Sequence, residues 1–172
     1  ASDTVLQFPV AGSVDQMASL IDAESEVVIA VGDNERRLEL CDVVAKNELT
    51  LALVVHPSAI VSKSANVLAG TVILAGAIVN VRVTIGRGCI LNTGATVDHD
   101  CAIEDGVHIS PGANLAGNVS VGACTWIGIG SAVKEGISIG DNVVVGAGAA
   151  VVADVPDGDR VGGVPARRLD SQ

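Results

Sequence analysis

Aromatic residues are almost missing from this chain: among 172 residues there is one Phe, one Trp and no Tyr. A hydrophobic interior must therefore be assembled from Val, Ile, Leu and Ala, in a sequence that is 49% apolar. Such residues suit thin, repeated layers. Positive charge is also scarce, with ten basic residues against twenty acidic and a net charge of −10. That balance argues against a footprint for nucleic acid or an anionic membrane, so a phosphate-bearing ligand would have to be held locally. No apolar run approaches the roughly eighteen residues that span a bilayer. The N-terminus lacks a basic stretch followed by an apolar one, and a soluble, cytoplasmic chain is expected. The four cysteines, Cys41, Cys89, Cys101 and Cys124, show neither metal-ligand spacing nor the density of a disulfide scaffold. Reduced and mostly buried thiols are expected.

What is present is a period. From Val61 to Val151 an aliphatic residue recurs at every sixth position, and all sixteen positions comply. Two places before each stands a residue that is usually small or β-branched, as at Ala59, Thr71, Ala95, Ala113 and Thr125. Glycine keeps the same phase, one or three places after the aliphatic residue, where the backbone must turn. Six fits neither the 3.6 of a helix nor a plain two-residue alternation. Short strands joined by two-residue turns and repeated without insertion describe a hexapeptide-type parallel β-helix.

Within that frame the runs Asn92-Thr93-Gly94, Asp98-His99-Asp100-Cys101, Val107-His108-Ile109-Ser110-Pro111-Gly112, Ala116-Gly117-Asn118-Val119 and Gly163-Val164-Pro165-Ala166-Arg167 stand out. They resemble the hexapeptide-repeat sugar acyltransferases related to sialic acid O-acetyltransferase and bacillosamine N-acetyltransferase. The resemblance implies a left-handed prism with three hexapeptides per coil, against the usual crossover hand, hence about five coils. It also implies a homotrimer with acyl-CoA, most simply acetyl-CoA, in the cleft between subunits, and no metal.

Residues 1–55 read as a partial Rossmann-like α/β segment. A helical stretch carries Val14, Met17, Leu20 and Ile21 on one face, and the strand Val27–Val31 ends at Gly32-Asp33-Asn34. A second helix over Glu35–Lys46 has Leu38, Cys41 and Ala45 at helical spacing, and Leu51–Val55 is a second strand. The β-helix is expected over 56–156, with a C-terminal tail over 157–172. In the resembling family the Gly-Asp-Asn turn and a glycine-rich loop hold a nucleotide sugar, which makes Asn34 and Arg37 candidate contacts. Gly12 and Gly32 are the only glycines before Gly70, so no G-x-G-x-x-G precedes them here. Arg36 and Arg37 open a helix and could equally be solvated.

With eighteen residues per coil, positions eighteen apart stack at about 4.8 Å. Gly117 then lies one coil above His99, where its N–H could meet a thioester carbonyl or oxyanion. His108 is nine residues from His99, half a coil around, so one prism cannot bring the two together and a neighbouring prism can. Asn92 and Ser110 stack near His108. The resemblance implies pantetheine contacts at Ile129 and Ala147, and Arg160, Arg167, Arg168 and Lys134 are candidates for the CoA phosphates. Taking a proton from an acceptor amine or hydroxyl near neutral pH suits an imidazole, which points to His99 as general base. Asp98 and Asp100 could each fix its tautomer, and the family's habit of a carboxylate after the histidine favours Asp100.

The expected reaction is acyl transfer to an amino group of a nucleotide-activated sugar, with O-acetylation of a sugar or sialic acid as the alternative. Two other classes stand beside it: a non-catalytic β-helix scaffold, and a zinc carbonic anhydrase type, which needs three histidines. His56 reads as an entry turn before Pro57. Trp126 could pack in the cleft or at a subunit contact.

Overall fold

The computed structural model describes residues 4–22 and 24–169. Two-residue strands stack into three parallel sheets that form the faces of a prism. The first face runs through Val54–Val55, Val72–Ile73, Ile90–Leu91, His108–Ile109, Trp126–Ile127, Val144–Val145 and Arg160–Gly162. The second runs from Ile60–Val61 to Ala150–Val151 and the third from Asn66–Val67 to Ser138–Ile139, where Val155 adds a bridge. Every parallel step between paired strands along the first face up to Val144–Val145, and along the other two, is eighteen residues, as Ile90↔His108 and Thr84↔Ala102 show.

The prism makes about six turns rather than the expected five. The extra turn arises at the ends: Val54–Val55, expected as the close of the α/β segment, already pairs with Val72–Ile73, and Arg160–Gly162 adds a rung beyond the last hexad. Inside, the aliphatic positions from Ile73 to Val151 are buried, and so are the small residues two places before them, including Ala77, Ala95, Ala113 and Ala149. Each layer is filled by side chains of a few carbons, which is why the chain has no use for rings.

The corners explain the glycine phase. Three places after the aliphatic residue the backbone enters the left-handed region, at Gly70, Gly88, Gly94, Gly106 and others. Five such corners carry a side chain instead: Arg82, Asp100, Asn118, Cys124 and Asn142, with φ between 55° and 61°. A non-glycine residue there is uncommon and strained.

Before the prism lies one βαβ unit. Glu26–Val27 pairs in parallel with Thr50–Leu51, and the helix Asn34–Lys46 connects them, N-capped by Asp33, whose carboxylate accepts the Arg36 N–H at 2.8 Å. Both strands are shorter than expected. The stretch at 14–21 is a 3-10 turn, Val14–Gln16, followed by a single α turn, Met17–Leu20, with Val14 and Leu20 exposed. The Asn34–Lys46 helix also buries a different stripe from the one hydropathy gives: Asn34, Arg37, Leu40, Cys41 and Val44, with Ala45 exposed. Among the described residues no helix is long and apolar enough to cross a membrane. The four cysteines are free, and three of them are buried.

Candidate active site

His99 and Asp100 form the corner that follows the strand Thr96–Val97. The imidazole Nδ1–H donates to Asp100 Oδ2 at 2.8 Å, which leaves Nε2 as an acceptor. Asp98 has other work: its Oδ1 accepts the His99 backbone N–H at 2.8 Å and the Asn80 side-chain amide at 2.8 Å. Of the two carboxylates, Asp100 is the one that meets the imidazole.

Asp100 is itself held by Arg82, one coil below. Arg82 Nε donates to Oδ1 at 2.6 Å and a terminal nitrogen donates to Oδ2 at 2.8 Å, a bidentate clasp. Hydrogen bonds from Arg82 first, and from His99 second, bring the Asp100 carboxyl down to about 2. Sequence reading passed over Arg82, although a cation eighteen residues before a carboxylate is a usable signal once the coil length is known.

Gly117 stacks on His99 as expected, and closely. A Cβ built at Gly117 would lie 2.5 Å from His99 Cε1 and 2.7 Å from Nε2. Only a residue without a side chain lets the ring stand there. Among the described residues the Gly117 N–H has no backbone acceptor, while its carbonyl accepts from Gly136 N–H.

His108 sits on the first face in a different setting. It is 8% exposed, and its ring packs against Trp126 at 4.7 Å between centroids, tilted by 33°. Thr93 N–H donates to Asn92 Oδ1 at 2.8 Å, which turns the Asn92 amide nitrogen toward His108 Nε2 at 3.1 Å. Nε2 is then the acceptor and Nδ1 carries the proton, buried without a partner. Burial first, and the Arg37 cation second, lower the His108 pKa to about 4. Its ring is neutral near pH 7.

Two grooves flank these histidines. One of about 450 Å³ runs along the second face beside the His99 corner and includes Asn80, Thr96, Asp98 and Asn114. The other, about 420 Å³ and mostly apolar, joins His108, Trp126, Ile129 and Ala147 on the first face. The two have no lining residue in common; His108 lines the second, and His99, on the corner after the strand Thr96–Val97, lines neither.

The remaining candidates fall elsewhere. Arg167 is exposed on the hairpin made with Arg160–Gly162, spends one nitrogen on the Ala166 carbonyl, and borders a concavity with Asp154 and Asp159. Arg168 pairs with Asp159 at 3.1 Å, and Lys134 stands 4.0 Å from Glu135. The expected side-chain contact of Asn34 and Arg37 with a nucleotide sugar is not where the structure puts them. Arg37 is fully buried and donates to the carbonyls of Gly88, Gly106, Val31 and Gly32 and to Asn34 Oδ1. Asn34 in turn donates to the carbonyls of Cys124 and Thr125. Both residues fasten the helix across three successive coils. His56 Nδ1 accepts from Ser58 N–H at the entry turn. No group of three metal-ligating side chains gathers among the described residues.

A six-turn parallel solenoid with a histidine–carboxylate pair on one corner and an apolar groove on another face has the build of a hexapeptide-repeat transferase. Neither a family model nor a curated protein matches the sequence. Solved structures do. The acetyltransferase domain of PglB from Neisseria gonorrhoeae FA1090, in complex with acetyl coenzyme A, is 39% identical, with 98% of this chain and 82% of that one covered and a TM-score of 0.94. A perosamine N-acetyltransferase from Caulobacter crescentus, with one histidine replaced by asparagine and in complex with CoA and GDP-perosamine, is 37% identical over 99% and 81%, with a TM-score of 0.95. WeeI from Acinetobacter baumannii AYE is 28% identical over 97% and 81%, with a TM-score of 0.91. The chain belongs to the hexapeptide-repeat sugar acyltransferase family, and it is an acyltransferase.

Proposed function

We propose that the protein transfers the acetyl group of acetyl-CoA directly to the amino group of a nucleotide-activated sugar, with His99 as general base. The observation that carries this reading is the corner itself. Asp100 accepts Nδ1–H and leaves Nε2 as the acceptor, and Gly117 keeps the space over the ring open. His108 is a poor candidate for the base, because burial lowers its pKa to about 4, which makes the ring a weak proton acceptor, and its Nε2 is engaged by Asn92.

In the proposed step the amine nitrogen attacks the thioester carbonyl as His99 Nε2 takes its proton. The C–N bond forms, the carbonyl oxygen gains charge, and the Gly117 N–H stabilises it. Collapse breaks the C–S bond, and the proton on His99 passes to the CoA thiolate. No covalent acyl-enzyme is required, since the thioester is already activated.

The apolar groove of His108, Trp126, Ile129 and Ala147 suits a pantetheine arm, with Asn92 below it, and the exposed Arg167 has donors to spare for CoA phosphates. His99 on its corner and His108 on the first face favour a site completed between prisms of a homotrimer, with the left-handed winding of the family. The βαβ unit supports a Rossmann-like, nucleotide-sugar-facing role for the segment before the prism. Asn34 and Arg37 would serve that role by docking its helix. The PglB domain bound to acetyl coenzyme A and the perosamine N-acetyltransferase bound to CoA and GDP-perosamine support both cosubstrate and acceptor class.

Release of CoA thiol is the test, across nucleotide-activated 4-amino sugars and the matching sugars with a hydroxyl at that carbon. Thiol release with the amines alone is expected. Release only with the hydroxyl sugars would replace N- by O-acetylation, and no release with any acceptor would overturn the reading.

A further inference from the structure

Three successive corners of one column are held in the left-handed region by residues other than glycine, Arg82 at φ 56°, Asp100 at φ 61° and Asn118 at φ 58°, each eighteen residues and one coil apart. This phase of the repeat is filled mostly by glycine, and of the three side chains here Arg82 is the one least suited to it, because Asp and Asn tolerate that region better. The Arg82 and Asp100 side chains meet: both Asp100 oxygens are engaged by Arg82, and Oδ2 is shared between Arg82 and His99 Nδ1. We propose that Arg82 is a positioning residue of the acyl transfer, fixing the carboxylate that orients His99 and tempering the negative charge that the imidazole feels; this rests on His99 being the base.

Asp100 alone, on an exposed corner, could swing between rotamers. The bidentate clasp leaves one orientation, with Oδ2 toward Nδ1. The clasp also brings a positive charge up to the pair. A bare carboxylate would stabilise the imidazolium strongly, and a guanidinium within 2.8 Å of the same oxygens offsets part of that pull. The other ionisable groups around His99 are Asp98, bonded to its backbone N–H, Cys101, whose thiol lies 3.8 Å from its carbonyl, and the Lys134–Glu135 pair two coils further on. Of all of these, only Arg82 is a cation touching the His99–Asp100 pair.

The experiment is the pH profile of kcat for acetyl transfer by the full chain, comparing Arg82→Gln, Arg82→Lys and His99→Asn. Arg82 is two-thirds exposed, so both of its variants are expected to fold. Arg82→Gln is expected to lower the plateau kcat about tenfold or more, with KM for acetyl-CoA unchanged. Its acid limb should move to higher pH, because loss of the cation lets His99 hold its proton longer. Arg82→Lys should restore the position of the limb while recovering only part of the plateau. An unchanged plateau and an unmoved limb in Arg82→Gln would overturn the proposal, and a fall in plateau without movement of the limb would reduce Arg82 to a strut. Full activity in His99→Asn would instead remove the base reading itself.

Discussion

At the scale of single residues, His99 and His108 are separated by environment rather than by type. His99 is half exposed and tied to an ionised carboxylate, and His108 is buried against Trp126 with its Nδ1–H unpaired. His108 therefore binds a proton less well in the folded chain than its ordinary 6.5. Unfolding takes up a proton between those two values, so stability is complete above pH 6.5 and falls as the pH drops toward about 4. Thermal melts at pH 7.5, 6 and 4.5 should show this loss, and a His108→Gln variant should show less of it. Asp100 titrates the other way: its carboxyl is depressed to about 2, so its anchoring is present above 3.8 and lost only as the pH falls through about 2. Gly117→Ala places a carbon where the His99 ring stands, and we expect a loss of at least about a hundredfold in kcat with an unchanged circular dichroism spectrum. An alanine variant of normal activity would show that the ring does not need that position.

At the scale of elements, the least legible part of the chain is the Asn34–Lys46 helix. Its boundaries follow from Asp33 as N-cap and from the spacing of its apolar residues, but its docking face does not. Hydropathy marks Leu38, Cys41 and Ala45, whereas the buried stripe opens with Asn34 and Arg37. The reason is that turns of a solenoid present carbonyls along their corners, and Gly88, Gly106 and Cys124 stack one coil apart with oxygens facing the helix. A guanidinium with five donors fits such a row, and those carbonyls lie 51 and 69 residues away in sequence. Among the described residues no carboxylate accepts from Arg37, and burial lowers its pKa. Arg37→Met should cost about 3 kcal/mol or more in urea unfolding, because several buried carbonyls lose their donor at once. A cost below 1 kcal/mol would mean that water replaces the guanidinium there.

At the scale of the whole molecule, the period of six was the strongest signal in the sequence, and the aliphatic positions from Ile73 to Val151 indeed form the core. Repetition makes such a fold legible, since each layer repeats the same packing problem. The ends are not legible in the period because a terminal rung has only one neighbour and need not keep the pattern: Val54–Val55 and Arg160–Gly162 are rungs outside the run of sixteen. The site was partly legible for the same reason. His99, Asp100 and Gly117 fall together by counting in eighteens, and Asn92 meets His108, whereas Arg82 emerged only from the side-chain geometry. The solenoid thus acts as a ruler that brings residues eighteen apart onto one corner.

The most direct measurement is kcat for acetyl transfer to a nucleotide-activated 4-amino sugar by the protein and by His99→Asn, with acetyl-CoA binding to each followed by calorimetry. The account predicts that the variant binds acetyl-CoA as tightly as the parent and turns over at least about a thousandfold more slowly. A His99→Asn variant that binds and turns over like the parent would contradict it.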